Sequence, residues 1–131
     1  MKLQPDRFEI PTVNGYGPGW VSIAGERIRT SLVIGSRGER MAWSCRRFED
    51  LDKSHFDALA ELAPELIVFG SGERVRFPKP AWLQNLMQQR IGVETMDTHA
   101  ACRTYNILAG EGRHVVAALL LETNEQAADS S

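Results

Sequence analysis

Two short runs constrain the fold of this chain more than any other feature. "ELIVFG" at residues 65–70 and "HVVAALLL" at 114–121 are apolar at nearly every position, without the alternation of a strand that keeps one face wet. Strands of that kind are buried on both sides, and a parallel sheet covered by helices is the usual way to bury them. "GVETM" at 92–96 reads as a third strand, and the segments between carry helical spacing. In "PKPAWLQNLMQQR" Pro80 suits a first helical turn, with Leu83, Leu86 and Met87 as the apolar stripe, and a second helix is expected from about Thr98 to Ala109. Strand, helix, strand, helix, strand over 65–121 predicts βαβ crossovers and an α/β domain.

Upstream, the period is mostly that of strands. After the Gly/Pro-rich "VNGYGPGW", the run "WVSIAGERIRTSLVIG" alternates on either side of an Ala-Gly turn and reads as a hairpin, with Val21 and Ile23 opposed to Ile28. This N-terminal hairpin would make the sheet mixed. "RMAWSC" is a further short strand candidate, and "RVRF" another. In "SHFDALAELA", Phe56, Leu59, Ala60 and Ala63 recur at helical spacing, Ser54 and Asp57 form a capping box, and the helix stops before Pro64. At 131 residues, with 43% hydrophobic and 24% charged, the chain is long enough for one core and too short for two. The expectation is a single domain over 1–131, an ordered core of about 15–121, and a polar, acidic, frayed tail over 122–131.

A net charge of -2 gives no chain-wide attraction for nucleic acid or anionic lipid. The uneven region is 27–47, where Arg27, Arg29, Arg37, Arg40, Arg46 and Arg47 stand against Glu26 and Glu39; it is either a solvated face or a docking patch for an acidic partner. Two cysteines, Cys45 and Cys102, are too few for a disulfide framework, and "MKLQPDRFEIP" has neither an apolar signal core nor the acid-free character of a transit peptide. No stretch approaches a membrane span. These features point to a reducing cytoplasm and free thiols.

The densest chemical motif is "VETMDTHAACRTYNIL" at 93–108, which sets Asp97, His99 and Cys102 within six positions. At about 100° per residue, Ala101, Cys102, Tyr105, Leu108 and Ala109 share the core side, Arg103 points away, and His99 lies at the margin with Asn106. The thiol and imidazole are poorly aimed at one another, so the motif reads as a helix start with Asp97 or Thr98 as N-cap. A reactive thiol in the early turns is the alternative. His99 and Cys102 have no second close ligand pair, so no metal site is expected. His55 reads as a first-turn surface residue, and His114 as a strand residue at a sheet edge or in solvent. "GYGPG" and "VFGSGERVRF" lack the strand-to-helix context of a nucleotide fingerprint, and no cofactor is implied. Trp20, Trp43 and Trp82 read as core or interface anchors.

The text from "PELIVFGSG" through "FP", a short helix and "GVETMDTHAACRTYNILAGEGRHVVAALLL" resembles a family of small single-domain proteins. That family includes NADH dehydrogenase alpha subcomplex assembly factor 3, a mitochondrial complex I assembly factor, and an adipogenesis-associated relative with an Mth-type domain. The resemblance is specific over residues 64–121, extends to "TSLVI" and Trp43, and does not reach 1–14 or 122–131. It implies a single three-layer domain with helices packed on a central mixed β-sheet, and it carries over no catalytic residues. It further implies a role as assembly or interaction partner around a membrane complex. Without the targeting segment of the mitochondrial members, the chain reads as a bacterial cytoplasmic relative.

Two functions from different classes follow. The first is a non-enzymatic accessory protein with a protein partner, assisting assembly of a respiratory or other membrane complex; self-association is left open. The second is a small-ligand binder, for an anion, or an enzyme, using loops at the carboxyl ends of the parallel strands. Its expected pocket is Gly70, Ser71 and Gly72 after one strand and Asp97 and Thr98 after the next, with Arg103 and Asn106 as a polar rim.

Overall fold

The computed structural model describes residues 10–122. The strands are β1 (Val13–Gly17), β2 (Trp20–Ile23), β3 (Glu26–Ile28), β4 (Leu32–Gly35), β5 (Arg40–Ala42), β6 (Leu66–Gly70), β7 (Gly92–Met96) and β8 (Val115–Leu119). Among the described residues three α-helices accompany them: α1 (Lys53–Ala60), α2 (Gln84–Gln88), entered through a 3-10 turn at Pro80–Leu83, and α3 (Thr98–Gly110). A second 3-10 turn, Phe48–Asp50, precedes α1.

The central sheet has the order β5-β4-β8-β6-β7. β6 runs parallel to both β7 and β8, while β4 is antiparallel to β8 and to β5, so the sheet is mixed. All five residues of β6 and all five of β8 are buried, as their unbroken apolar runs require. The period of two sorts their side chains between two cores. Leu66, Val68, Val115, Ala117, Leu119 and Leu121 face one; Ile67, Phe69, Val116, Ala118 and Leu120 face the other. The first core is closed by α3, through Ala101, Cys102, Tyr105 and Ala109, and by the three-stranded sheet β1-β2-β3. The second is closed by Trp43, Leu51, Phe56, Leu59 and Leu86. There Phe56 meets Phe69 edge-on with centroids 5.3 Å apart and stacks on Trp82 at 5.8 Å. The result is three layers around one sheet.

Several local expectations are corrected. The β2–β3 hairpin forms with Val21 opposite Ile28, and its two-residue turn holds Ala24 and Gly25 at φ 54° and 83°. It does not join the central sheet, however; with β1 it makes a sheet of its own, and β4 and β5 supply the mixed character. "RVRF" forms no strand, because Arg76 turns inward: its guanidinium donates to the carbonyl of Ser71 at 2.7 Å and to Glu122 at 2.5 Å. Met87 is 66% exposed, since α2 is too short to bury more than Leu86. The cap of α1 is Asp52, whose carboxylate accepts the N–H of Ser54, while Nδ1 of His55 accepts the N–H of Asp52.

Of the two outlying histidines, His55 is half-buried and His114 is buried. His55 packs edge-on to Trp43, and its Nε2–H donates to the carbonyl of Ser44 at 2.8 Å. His114 is 6% exposed and bonds the Glu39 carboxylate at 2.6 Å. Glu122, expected at the start of a frayed tail, is held by Arg76 and by the N–H of Phe48. The rest of that tail, and residues 1–9, lie outside the described residues.

Candidate functional site

A cleft of about 180 Å³ opens at the carboxyl ends of β6 and β8, beside the first turn of α3. Its geometry begins with Gly70. A Cβ there would lie 2.8 Å from the Cα of Thr98, so only glycine lets the start of α3 approach β6 this closely. Gly72, at φ +104°, then turns the chain away from the sheet. Thr98 joins the two: its hydroxyl donates to the carbonyl of Leu120 at 2.7 Å and accepts the N–H of Gly72 at 2.9 Å. Asp97 is the N-cap, its carboxylate accepting the N–H of Ala100 at 2.9 Å.

Of the seven expected pocket residues, Gly72, Asp97 and Thr98 line this cleft. The others lie elsewhere and have structural partners. Gly70 sits beneath Thr98, and Ser71 is fully buried, its hydroxyl donating to the carbonyl of Arg74 and accepting the N–H of Arg76. Asn106 exchanges both amide groups with the main chain of Val13, at 2.9 and 2.8 Å, and pins β1 to α3. Arg103 donates to the Tyr16 hydroxyl at 2.7 Å. Pro18, Gly19, Glu73, His99, Leu120, Leu121 and Glu122 complete the lining, and only tertiary structure brings in Pro18 and Gly19. His99 stacks on Tyr16 at 4.3 Å, and its Nε2–H donates to the carbonyl of Gly17 at 3.0 Å.

The chemistry available there is modest. Carboxylates of Glu73, Asp97 and Glu122 share the lining, which opposes a bare anion despite the helix start. The thiol of Cys102 is 1% exposed on the core side of α3, and burial pushes it up to about 12, so it is no nucleophile for this cleft. Cys45 is likewise buried, free and pushed up to about 12. Among the described residues, no group of three or more His, Cys, Asp or Glu side chains is placed to hold a metal ion, and no helix is long and apolar enough to cross a membrane.

The six arginines of 27–47 lie away from this cleft. Arg27 and Arg29 belong to β3 and its exit, Arg37 and Arg40 to the β4–β5 turn and β5, and all are exposed. Arg40 bonds Glu26 at 2.9 Å, joining the edges of the two sheets, and Arg27 lies 4.0 Å over the Trp20 ring. Exposed Arg46 and Arg47 follow beyond β5, where their main-chain N–H groups donate to Asp50. Between β3 and β5 runs an open groove of about 440 Å³, walled by Glu26, Ile28 and Thr30 on one side and Arg40, Met41 and Ala42 on the other.

Fold and surface together define a three-layer α/β protein whose polar residues near the strand ends mostly hold the frame. The chain belongs to the family described as "Protein of unknown function (DUF498/DUF598)", whose sequence model matches residues 13–120. It is similar to the mouse protein named NADH dehydrogenase [ubiquinone] 1 alpha subcomplex assembly factor 3, with 31% identity over 127 residues, which are 95% of this chain and 68% of the mouse protein. An uncharacterized protein of Rhodobacter capsulatus is 36% identical over 110 residues, 82% of each chain. Among solved structures, the solution structure of a Mth938-like domain from Bordetella pertussis superposes with a TM-score of 0.81 at 31% identity, covering 97% of this chain and 98% of that one. The chain spans 66% and 65% of the Xenopus tropicalis and human assembly factors of the same name, so it matches about two thirds of their length.

Proposed function

We propose that this chain is a non-enzymatic accessory protein that assists the assembly of a respiratory or other membrane complex, working from a reducing cytoplasm and docking through its arginine-bearing face. The observation that carries the reading is the similarity, over 95% of the chain, to a protein named as an assembly factor. Two features support it. The polar side chains expected to serve a pocket are engaged in fold-holding bonds, and the described thiols are buried and protonated. Arg29, Arg37 and Arg47 extend exposed cations on a face where Glu26 is already paired with Arg40. Affinity purification from gently solubilised native cells tests the reading. Subunits or insertion factors of a membrane complex should co-purify, and their absence under conditions that preserve weak complexes counts against it.

The cleft beside α3 favours a second reading, a small-ligand binder or enzyme acting at the strand ends. A thermal-shift screen separates the two, because a ligand at about 100 times its Kd stabilises the folded state by about 2.7 kcal/mol. A hit that Thr98→Ser retains and Asp97→Lys loses would favour the cleft. A flat screen would favour docking alone.

A further inference from the structure

We infer that the groove between β3 and β5 takes an extended, acidic segment of a partner protein as an added strand on the edge of β5. This rests on the arginine-bearing face being the docking face, and it says how that face binds.

The main chain of β5 identifies the occupant. Gly35 N–H donates to the carbonyl of Glu39 at 2.9 Å, and Trp43 N–H donates to the carbonyl of Ser31 at 3.0 Å. Hydrogen-bonded pairs alternate along an antiparallel ladder, so Val33 and Met41 form the bonded pair between those two. Arg40 and Ala42, opposite Ile34 and Leu32, therefore turn their N–H and C=O groups away from β4. β5 is the outermost strand of its sheet, and all three of its residues are exposed. Such an edge is complementary to one thing, an extended backbone laid alongside it. The groove beside it has room for that backbone, and half-buried Ile28 and 39%-exposed Met41 offer apolar contact to alternate side chains.

Charge narrows the sequence that fits. Arg40 lines the groove, exposed Arg27 and Arg29 alternate along the chain with its wall residues Ile28 and Thr30, exposed Arg37 stands just before β5, and the two carboxylates nearest in sequence are engaged, Glu26 by Arg40 and Glu39 by His114. A short edge bearing cations repels basic strands and discourages indiscriminate pairing. An acidic strand matches the outward N–H and C=O groups of the edge and the positive charge around it, and can take the place of Glu26 on Arg40.

The test is titration of the isotope-labelled protein with a capped peptide of alternating glutamate and valine, about eight residues long. The amide signals of Arg40 and Ala42 should shift and their hydrogen exchange slow. The lysine–valine counterpart, and the same glutamate–valine peptide N-methylated at alternate residues, should bind about tenfold more weakly or worse. Ala42→Pro should lose binding to the same degree while the fold is kept, because proline is tolerated where an edge N–H faces outward. If that variant unfolds, the methylated peptide still decides. Equal binding of methylated and parent peptides, shifts confined to other residues, or no binding at all would overturn the proposal. Co-purification of a membrane-complex subunit with Ala42→Pro as well as with the natural chain would leave the assembly reading standing and remove strand addition.

Discussion

Cys102 and Glu39 show what burial does to single groups in this fold. The unfolded thiol ionises near 9.0 and the folded one near 12, so the native state keeps a proton that the unfolded chain has lost. Its stabilising effect is complete below about pH 9 and is lost as pH climbs toward 12. Native Cys102 should therefore label far more slowly with a thiol reagent than the denatured chain does, and Cys102→Ala should cost on the order of 1 kcal/mol by denaturant unfolding. Glu39 runs the other way. Burial alone would raise its carboxyl, but the bond to His114 and the main-chain N–H of Arg37 outweigh that and hold it below its ordinary 4.5. This contribution is present above pH 4.5 and lost as pH falls through the lowered folded value. Glu39→Gln should flatten the acid limb of a melting-midpoint profile taken between about pH 3 and pH 7; an unchanged limb would show that the pair adds nothing. The side of α3 that carries Cys102 was legible in the sequence, because helical geometry is local. The packing of half-buried His55 and the burial of His114 were not. Their partners, Trp43 and Glu39, stand on other elements, and Glu39 is 75 residues away.

Among elements, the junction of β6, β8 and α3 is the tightest. Thr98→Ala would leave the N–H of Gly72 and the carbonyl of Leu120 without their shared partner in a buried site, a loss of about 1–3 kcal/mol. Gly70→Val should cost more, since its side chain would meet the backbone of Thr98 at 2.8 Å and push α3 off the sheet. Chemical denaturation of both variants checks the order; a tolerated Gly70→Val would contradict the close approach. The elements from β6 to β8 could be read in advance because their apolar runs and caps are self-contained signals. The placement of β1–β3 could not, since an alternating hairpin packs equally well within a sheet or across one. The inward turn of Arg76 broke an apparent strand for the same reason: its partner Glu122 is distant in sequence. Part of the cleft was legible through Gly72, Asp97 and Thr98. Pro18 and Gly19 enter only because the three-stranded sheet folds over α3, through Asn106 on Val13 and the Tyr105 hydroxyl on the carbonyl of Pro11.

At the scale of the whole molecule, two sheets share one core and leave the edges of β3 and β5 facing a common groove lined by Arg40, while the cleft at the other functional candidate carries carboxylates. A frame held by internal polar bonds, with exposed arginines on β3, on β5 and in the turn before it, is what the proposed docking role requires. The most direct measurement places a photo-cross-linking residue in native cells at exposed Thr30, on the groove wall, and separately at exposed Gln88 on α2, whose helix closes the opposite core. The account predicts a light-dependent adduct from position 30 whose partner peptide, sequenced by mass spectrometry, is acidic and belongs to a membrane-complex subunit or assembly factor, with none from position 88. No adduct from position 30, or the same adducts from both positions, would contradict it.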